Sequence, residues 1–90
     1  DHYQKRQYDE AEQLAREIVE KSPSNLWAWK ILASVFQQMG RKREAVNAFR
    51  TIITLSPKDA ESHYNLANSL LELGSLDEAE VTYKVVISLY

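Results

Sequence analysis

Apolar residues recur along this chain at helical spacing and break off at short stretches of turn-forming residues. Trp29, Leu32, Ala33 and Phe36 fall on one stripe at about 100° per residue, and Ala45, Phe49 and Ile52 form a second stripe that can face it. The next stretch repeats the series with His63, Leu66, Ala67 and Leu70, then Ala79 and Tyr83. Gly40 to Gly74, Ala45 to Ala79 and Phe49 to Tyr83 are each 34 residues apart, and the same step links Ala11 to Ala45 and Pro23 to Pro57. A fixed period of this length marks stacked copies of one small unit, each too small to bury its own apolar face.

The pattern predicts five helices and no strand. Asp1 to Arg6 reads as the last turn of a helix, Gln7 and Tyr8 as a corner, and Asp9 as the cap of a helix to about Lys21. That helix carries Ala11, Leu14, Ala15, Ile18 and Val19 as its apolar stripe, and Lys21-Ser22-Pro23-Ser24-Asn25 stops it. A second helix is expected from about Asn25 to Met39, ending at Gly40, where a left-handed cap is easiest. The basic corner Arg41-Lys42-Arg43 leads into a third helix ending near Leu55. Asp59 is placed to cap the fourth, which ends at Gly74; Ser75 with Glu78 has the spacing of a capping box for the fifth. Ala33 with Ala45, and Ala67 with Ala79, are small where paired helices must approach closely.

The run W-x2-L-A-x2-F, then A-x3-F, then P at a period of 34 resembles the tetratricopeptide repeat. The resemblance is nearly complete over 26–59. Over 60–90 it has His63 in the Trp position and Leu70 in the aromatic one, and the closing turn is lacking; 1–25 carries mainly the second helix. It implies an all-α fold, with antiparallel helix-turn-helix units stacked as a right-handed superhelical solenoid. The pentatricopeptide arrays that read RNA have a slightly longer period and a basic surface, and neither occurs here. A looser resemblance runs to the repeat region ahead of bacterial glycosyltransferases similar to O-linked N-acetylglucosamine transferases. No catalytic domain lies within these residues.

Such repeats hold extended peptides on a concave surface built from the first helix of each unit. The residues opposite the buried stripe are Trp27, Lys30, Ile31, Ser34, Gln37 and Gln38 in one unit, then Tyr64, Asn65, Asn68 and Leu71 with Glu61 and Glu72 in the next. Trp27 and Ile31 read either as a peptide anchor or as packing against the preceding helix. Asn65 and Asn68 can clamp both N–H and C=O of a ligand backbone, or be merely solvated. Asn65 matches the asparagine ladder of the glycosyltransferase-like arrays, although Ile31 breaks that ladder one unit earlier. Lys30 and Asn65 also match two positions of the carboxylate clamp in chaperone-binding repeats, but Ser34 replaces its first Asn. The resemblance does not extend to that clamp.

Composition narrows the functions further. The 90 residues are 44% hydrophobic with a net charge of −2, which speaks against a nucleic-acid or anionic-membrane surface. There is no apolar run of membrane-spanning length. Cysteine is absent, which excludes disulfides and accords with a reducing compartment, so a cytoplasmic location is expected. Two histidines are too few for a metal site, and His63 reads as a packed core histidine. Acidic residues fall on caps and outer faces with no evident buried pair, and neither a phosphate-binding loop nor a nucleophile motif occurs. No cofactor is expected, and Arg41-Lys42-Arg43 reads as a solvated turn.

Charge is nonetheless segregated: −2 over residues 1–21, +4 over 22–57 and −4 over 58–90. Units of opposite sign favour head-to-tail stacking, or are simply solvated faces that differ. Val81, Val85, Val86, Ile87, Leu89 and Tyr90 load helix 76–90 with apolar surface, which another repeat or weak self-association would cover. The expectation is a non-catalytic module binding a protein or peptide; the alternative is the substrate-recognition arm of a larger transferase.

Overall fold

The computed structural model describes residues 2–90, with side chains from Gln4 onward; Asp1 and the side chains of His2 and Tyr3 lie outside the described residues. Five helices make up these residues: α1 (His2–Lys21), α2 (Leu26–Gln38), α3 (Lys42–Leu55), α4 (Ala60–Glu72) and α5 (Leu76–Leu89). Each packs on the next in chain order, giving an all-α helical-repeat solenoid. The core runs along it as one seam. Ala28, Ala33, Ala45, Ala67 and Ala79 lie where helices cross, all buried, and Leu32, Phe36, Phe49, Ile52, Leu66 and Leu70 fill the space between crossings.

Two turns set the pairing. Gly40 and Gly74 have φ of 74° and 83°, a region that L residues avoid. At each, the N–H one residue beyond the glycine reaches back five residues: Arg41 N to Phe36 O at 2.8 Å, Ser75 N to Leu70 O at 2.9 Å. This is the Schellman arrangement, which ends one helix and reverses the chain for the next. The position one period before Gly40 is Arg6. An arginine does not pay the cost of that φ readily, so α1 runs straight through the expected corner at Gln7 and Tyr8, and Asp9 lies inside the helix instead of capping it.

Three further expectations are corrected. Leu14 is 55% exposed, on a face of α1 turned away from its contact with α2; its counterparts Ala48 and Thr82 are buried. Ser75 makes no capping side-chain hydrogen bond, and its intended partner Glu78 pairs with Arg50 at 2.7 Å. Lys42 and Arg43 belong to the first turn of α3 and are no corner, while Arg41 is half-buried in an ion cluster.

No group lies within 4 Å of a Cβ built at Gly40 or Gly74, so substitution there meets backbone strain alone. Gly40→Ala should cost about 1 kcal/mol in a urea denaturation series, and Gly40→Asn distinctly less. Arg6→Gly should lower helical amide protection around residues 4–9 while leaving α2 to α5 unchanged by hydrogen exchange.

Candidate peptide-binding face

Helices α2 and α4 carry the predicted face, and the turn before each is pinned in the same way. Asn25 Oδ1 accepts from Ala28 N at 3.0 Å and Asp59 Oδ1 from Ser62 N at 3.2 Å, capping the two helices. Trp29 Nε1 donates to Pro23 O at 2.8 Å, and His63 Nε2 meets Pro57 O at the same distance. His63 therefore does the work of the Trp it replaces, with the proton placed on Nε2 for that bond. It is buried in the helix seam, as a structural histidine would be.

Between α2 and α4 lies a cleft lined by Lys30, Ser34 and Gln37 on one side and Glu61, Ser62 and Asn65 on the other, with Phe49 at its floor. Five of the twelve predicted face residues (Lys30, Ser34, Gln37, Glu61 and Asn65) are thus brought together. The other seven are outside it, among them Glu72, which pairs with Lys42 at 3.6 Å. Trp27 is 61% exposed, whereas Ile31 is half-buried against the core, so the two separate into a free aromatic and a packing residue. Gln38 borders a different hollow with Gln4, Lys5, Tyr8 and Met39. Tyr64 is half exposed and stands edge-on to Tyr83 at 6.2 Å, Asn68 Oδ1 accepts the Tyr83 hydroxyl, and Leu71 is exposed.

Two more of these side chains are therefore already engaged. Lys30 Nζ lies 2.9 Å from Asp59 Oδ2, so its charge is shared with the cap of α4. Burial raises the Asp59 carboxyl, but the Lys30 ammonium and the Ser62 N–H outweigh that, leaving it below its ordinary value. The Tyr83–Asn68 bond likewise spends one acceptor of Asn68 within the fold. Neither contact has a local sequence signal, since the partners are 29 and 15 residues apart in the chain.

Across the solenoid from α1 to α3, an ion cluster stands in place of the expected solvated turn at Arg41 and unpaired carboxylates. Arg41 meets Glu12 at 2.6 Å and Glu44 at 2.7 Å, Arg16 meets Glu12 at 2.8 Å, and the Arg41 guanidinium stands 4.6 Å from the Phe36 ring centroid. Hydrogen bonding from Arg41 holds both Glu12 and Glu44 below the usual carboxylate range. The pairing is legible only once α1 and α3 are adjacent.

Folded pKa values below the ordinary 4.5 of Glu12 and Glu44 and 3.8 of Asp59 mean stabilisation present above those values and lost as pH falls through the folded ones. The urea midpoint should accordingly hold between pH 7 and 5 and drop below about pH 4. Glu12→Gln should lower stability at pH 7 by about 1–2 kcal/mol and flatten that acid limb. Asp59→Ala should cost about 1 kcal/mol, and Asp59→Asn, which keeps a capping oxygen, clearly less.

Residues 4–86 match the family model described as anaphase-promoting complex, cyclosome, subunit 3. The chain is 26% identical over 82 residues to the TPR repeat-containing protein MJ1428 of Methanocaldococcus jannaschii, covering 91% of this chain and 14% of that one. It is 32% identical over 85 residues to transcription factor tau subunit sfc4 of Schizosaccharomyces pombe, covering 90% and 8%. It is also 28% identical over 87 residues to the human protein O-mannosyl-transferase TMTC1, covering 92% and 10%. Among solved structures, a MamA structure superposes with TM-score 0.85 at 29% identity, over 96% of this chain and 49% of that one. The Thermobaculum terrenum O-GlcNAc transferase shares the fold at TM-score 0.76 and 24% identity, over 87% and 15%. The chain thus spans a small part of its curated relatives and about half of MamA. A 34-residue period, paired helices reversed at glycine and a continuous alanine-lined seam agree with these likenesses: the chain belongs to the family of anaphase-promoting complex, cyclosome, subunit 3, and is a helical scaffold built from tetratricopeptide repeats.

Proposed function

We propose that this chain is a non-catalytic docking module that holds an extended peptide or protein segment along the cleft between α2 and α4. The observation that carries this reading is the lining of that cleft. Ser34, Gln37 and Asn65 offer hydroxyl and amide groups that can both donate and accept, which suits main-chain N–H and C=O groups irrespective of side chains. Lys30 is balanced by Asp59, and Glu61 contributes a negative charge, so the cleft favours a neutral or basic segment over a free carboxylate. Trp27 and Tyr64, large and exposed, flank it as anchors for apolar side chains of the bound segment.

A second reading is the substrate-recognition arm of a larger transferase. It is favoured by the likeness to a human protein O-mannosyl-transferase, of which the chain spans 10%. The two readings differ in the ligand: an arm of that kind binds the enzyme's acceptor polypeptide, and a general docking module binds a segment that is never modified.

Titration with a library of extended peptides, followed by backbone amide NMR, tests the site. Shifts should concentrate at Lys30, Ser34, Gln37, Glu61 and Asn65, with Trp27 and Tyr64 at the margins. Asn65→Ala should weaken binding about fivefold, the loss of one net hydrogen bond of about 1 kcal/mol, without changing the thermal midpoint. Silence in the cleft at millimolar peptide would overturn the reading.

A further inference from the structure

The far flank of α5 is uncovered, and the chain itself displays twice what covers a flank of this kind. Leu76 and Ile87 are 60% and 74% exposed, Glu80 is exposed and Tyr83 is only half-buried. One period earlier their counterparts are Lys42, Ile53, Val46 and Phe49, and beneath α4 the last two are 5% and 4% exposed. Two periods earlier they are Tyr8, Val19, Glu12 and Ala15, and beneath α2 Ala15 is buried. In each case the cover is the following helical pair.

The polar positions of these flanks vary together with the pair that covers them. Where the flank carries Glu12, the covering pair brings Arg41 at the start of its second helix, in contact at 2.6 Å. Where the flank carries Val46, the residue equivalent to Arg41 is Ser75, which is uncharged. A second rung sits beside it. Arg16 reaches forward to Glu44 of the next pair at 3.7 Å, and Arg50, one period on, reaches Glu78 at 2.7 Å. The third members of these two series are Glu80 and Lys84. They meet each other within α5 at 3.4 Å, both largely exposed, an arrangement that contributes little to stability.

We propose that the open flank of α4 and α5 docks a helical pair of the repeat type whose second helix begins with Arg-x-x-Glu, the arginine meeting Glu80 and the glutamate meeting Lys84. Arg41-Lys42-Arg43-Glu44 in this chain is an instance of that sequence. Tyr83 and Ile87 of the flank, whose counterparts Phe49 and Ile53 pack against the core, supply the apolar contact, and the two ionic rungs select the partner. A basic partner also continues the alternation of charge along the solenoid, −2, +4, −4. A second copy of this chain fits poorly, because its own Arg41 is already held by Glu12 and Glu44.

The test extends the full chain in register after Tyr90 by a copy of residues 23–56, which brings its own Arg-x-x-Glu. The thermal midpoint of the extended chain should rise by about 10 °C, as a nearest-neighbour interface is added. Glu80→Gln in the host should remove about 3–6 °C of that gain. Arg41→Gln within the appended copy should remove the same amount, and the two together no more than either alone. In the unextended chain Glu80→Gln should change nothing measurable. Equal gains with and without Glu80, or additive losses, would overturn the proposal. Should the extended chain fail to fold, a synthetic peptide of residues 23–56 titrated into the unextended chain gives a second readout. Amide shifts at Leu76, Glu80 and Ile87 that weaken in Glu80→Gln support the proposal; shifts confined to other helices refute it. Concentration-dependent dimerisation of the unextended chain through these same amides, seen by sedimentation, would make a second copy the occupant and refute it as well.

Discussion

A pair of short helices cannot bury both of its faces, and everything in this structure follows from that constraint. Helices of 13 or 14 residues are marginal alone and gain their stability from an apolar face laid against a neighbour. Within a pair, small residues let the backbones close: Ala33 with Ala45, and Ala67 with Ala79, are at most 1% exposed. Between pairs, larger residues such as Phe49 and Ile52 are closed off by the next unit. The same residues one period on, Tyr83 and Val86, remain half-buried because no unit covers them. Burial is thus a property of the stack and not of the unit.

Charge is organised by the same logic. The basic middle unit lies between two acidic ones, and its cations reach outward in both directions: Arg41 to Glu12, Lys30 to Asp59, Lys42 to Glu72 and Arg50 to Glu78. The segregation of charge along the sequence is therefore resolved inside one molecule. Apart from Arg41 with Glu12, these pairs are about half exposed at one partner and set register more than stability. Arg41 is the exception: it is ringed by carboxylates and laid against Phe36, where packing and charge act on one side chain.

The candidate binding face depends on what the stack leaves over. Helices α2 and α4 turn their apolar residues to the seam, and what remains between them is a cleft of amides and hydroxyls with a neutralised lysine. Such a lining suits a backbone better than any one side chain, so the face reads conformation, and the exposed Trp27 and Tyr64 add preference at its margins.

Periodicity by itself determined the five helices' type and pairing, the alanine seam, the glycine reversals and the family, because each is written in residues a few positions apart or at a fixed step. The extent of α1 was also latent in the sequence, in the arginine that stands where Gly40 and Gly74 have their counterparts, but its consequence depends on the cost of a left-handed φ. Contacts between side chains distant in the chain were decided only by the tertiary structure. Glu12 with Arg41, Lys30 with Asp59 and Tyr83 with Asn68 join residues 15 to 29 positions apart, and no local pattern predicts which polar groups a stacked neighbour will bring within reach. Tertiary packing likewise divides the twelve predicted face residues into five that share a cleft and seven that do not. A sequence can place a residue on a helix face, but whether it is free to bind depends on what the next helix has already taken.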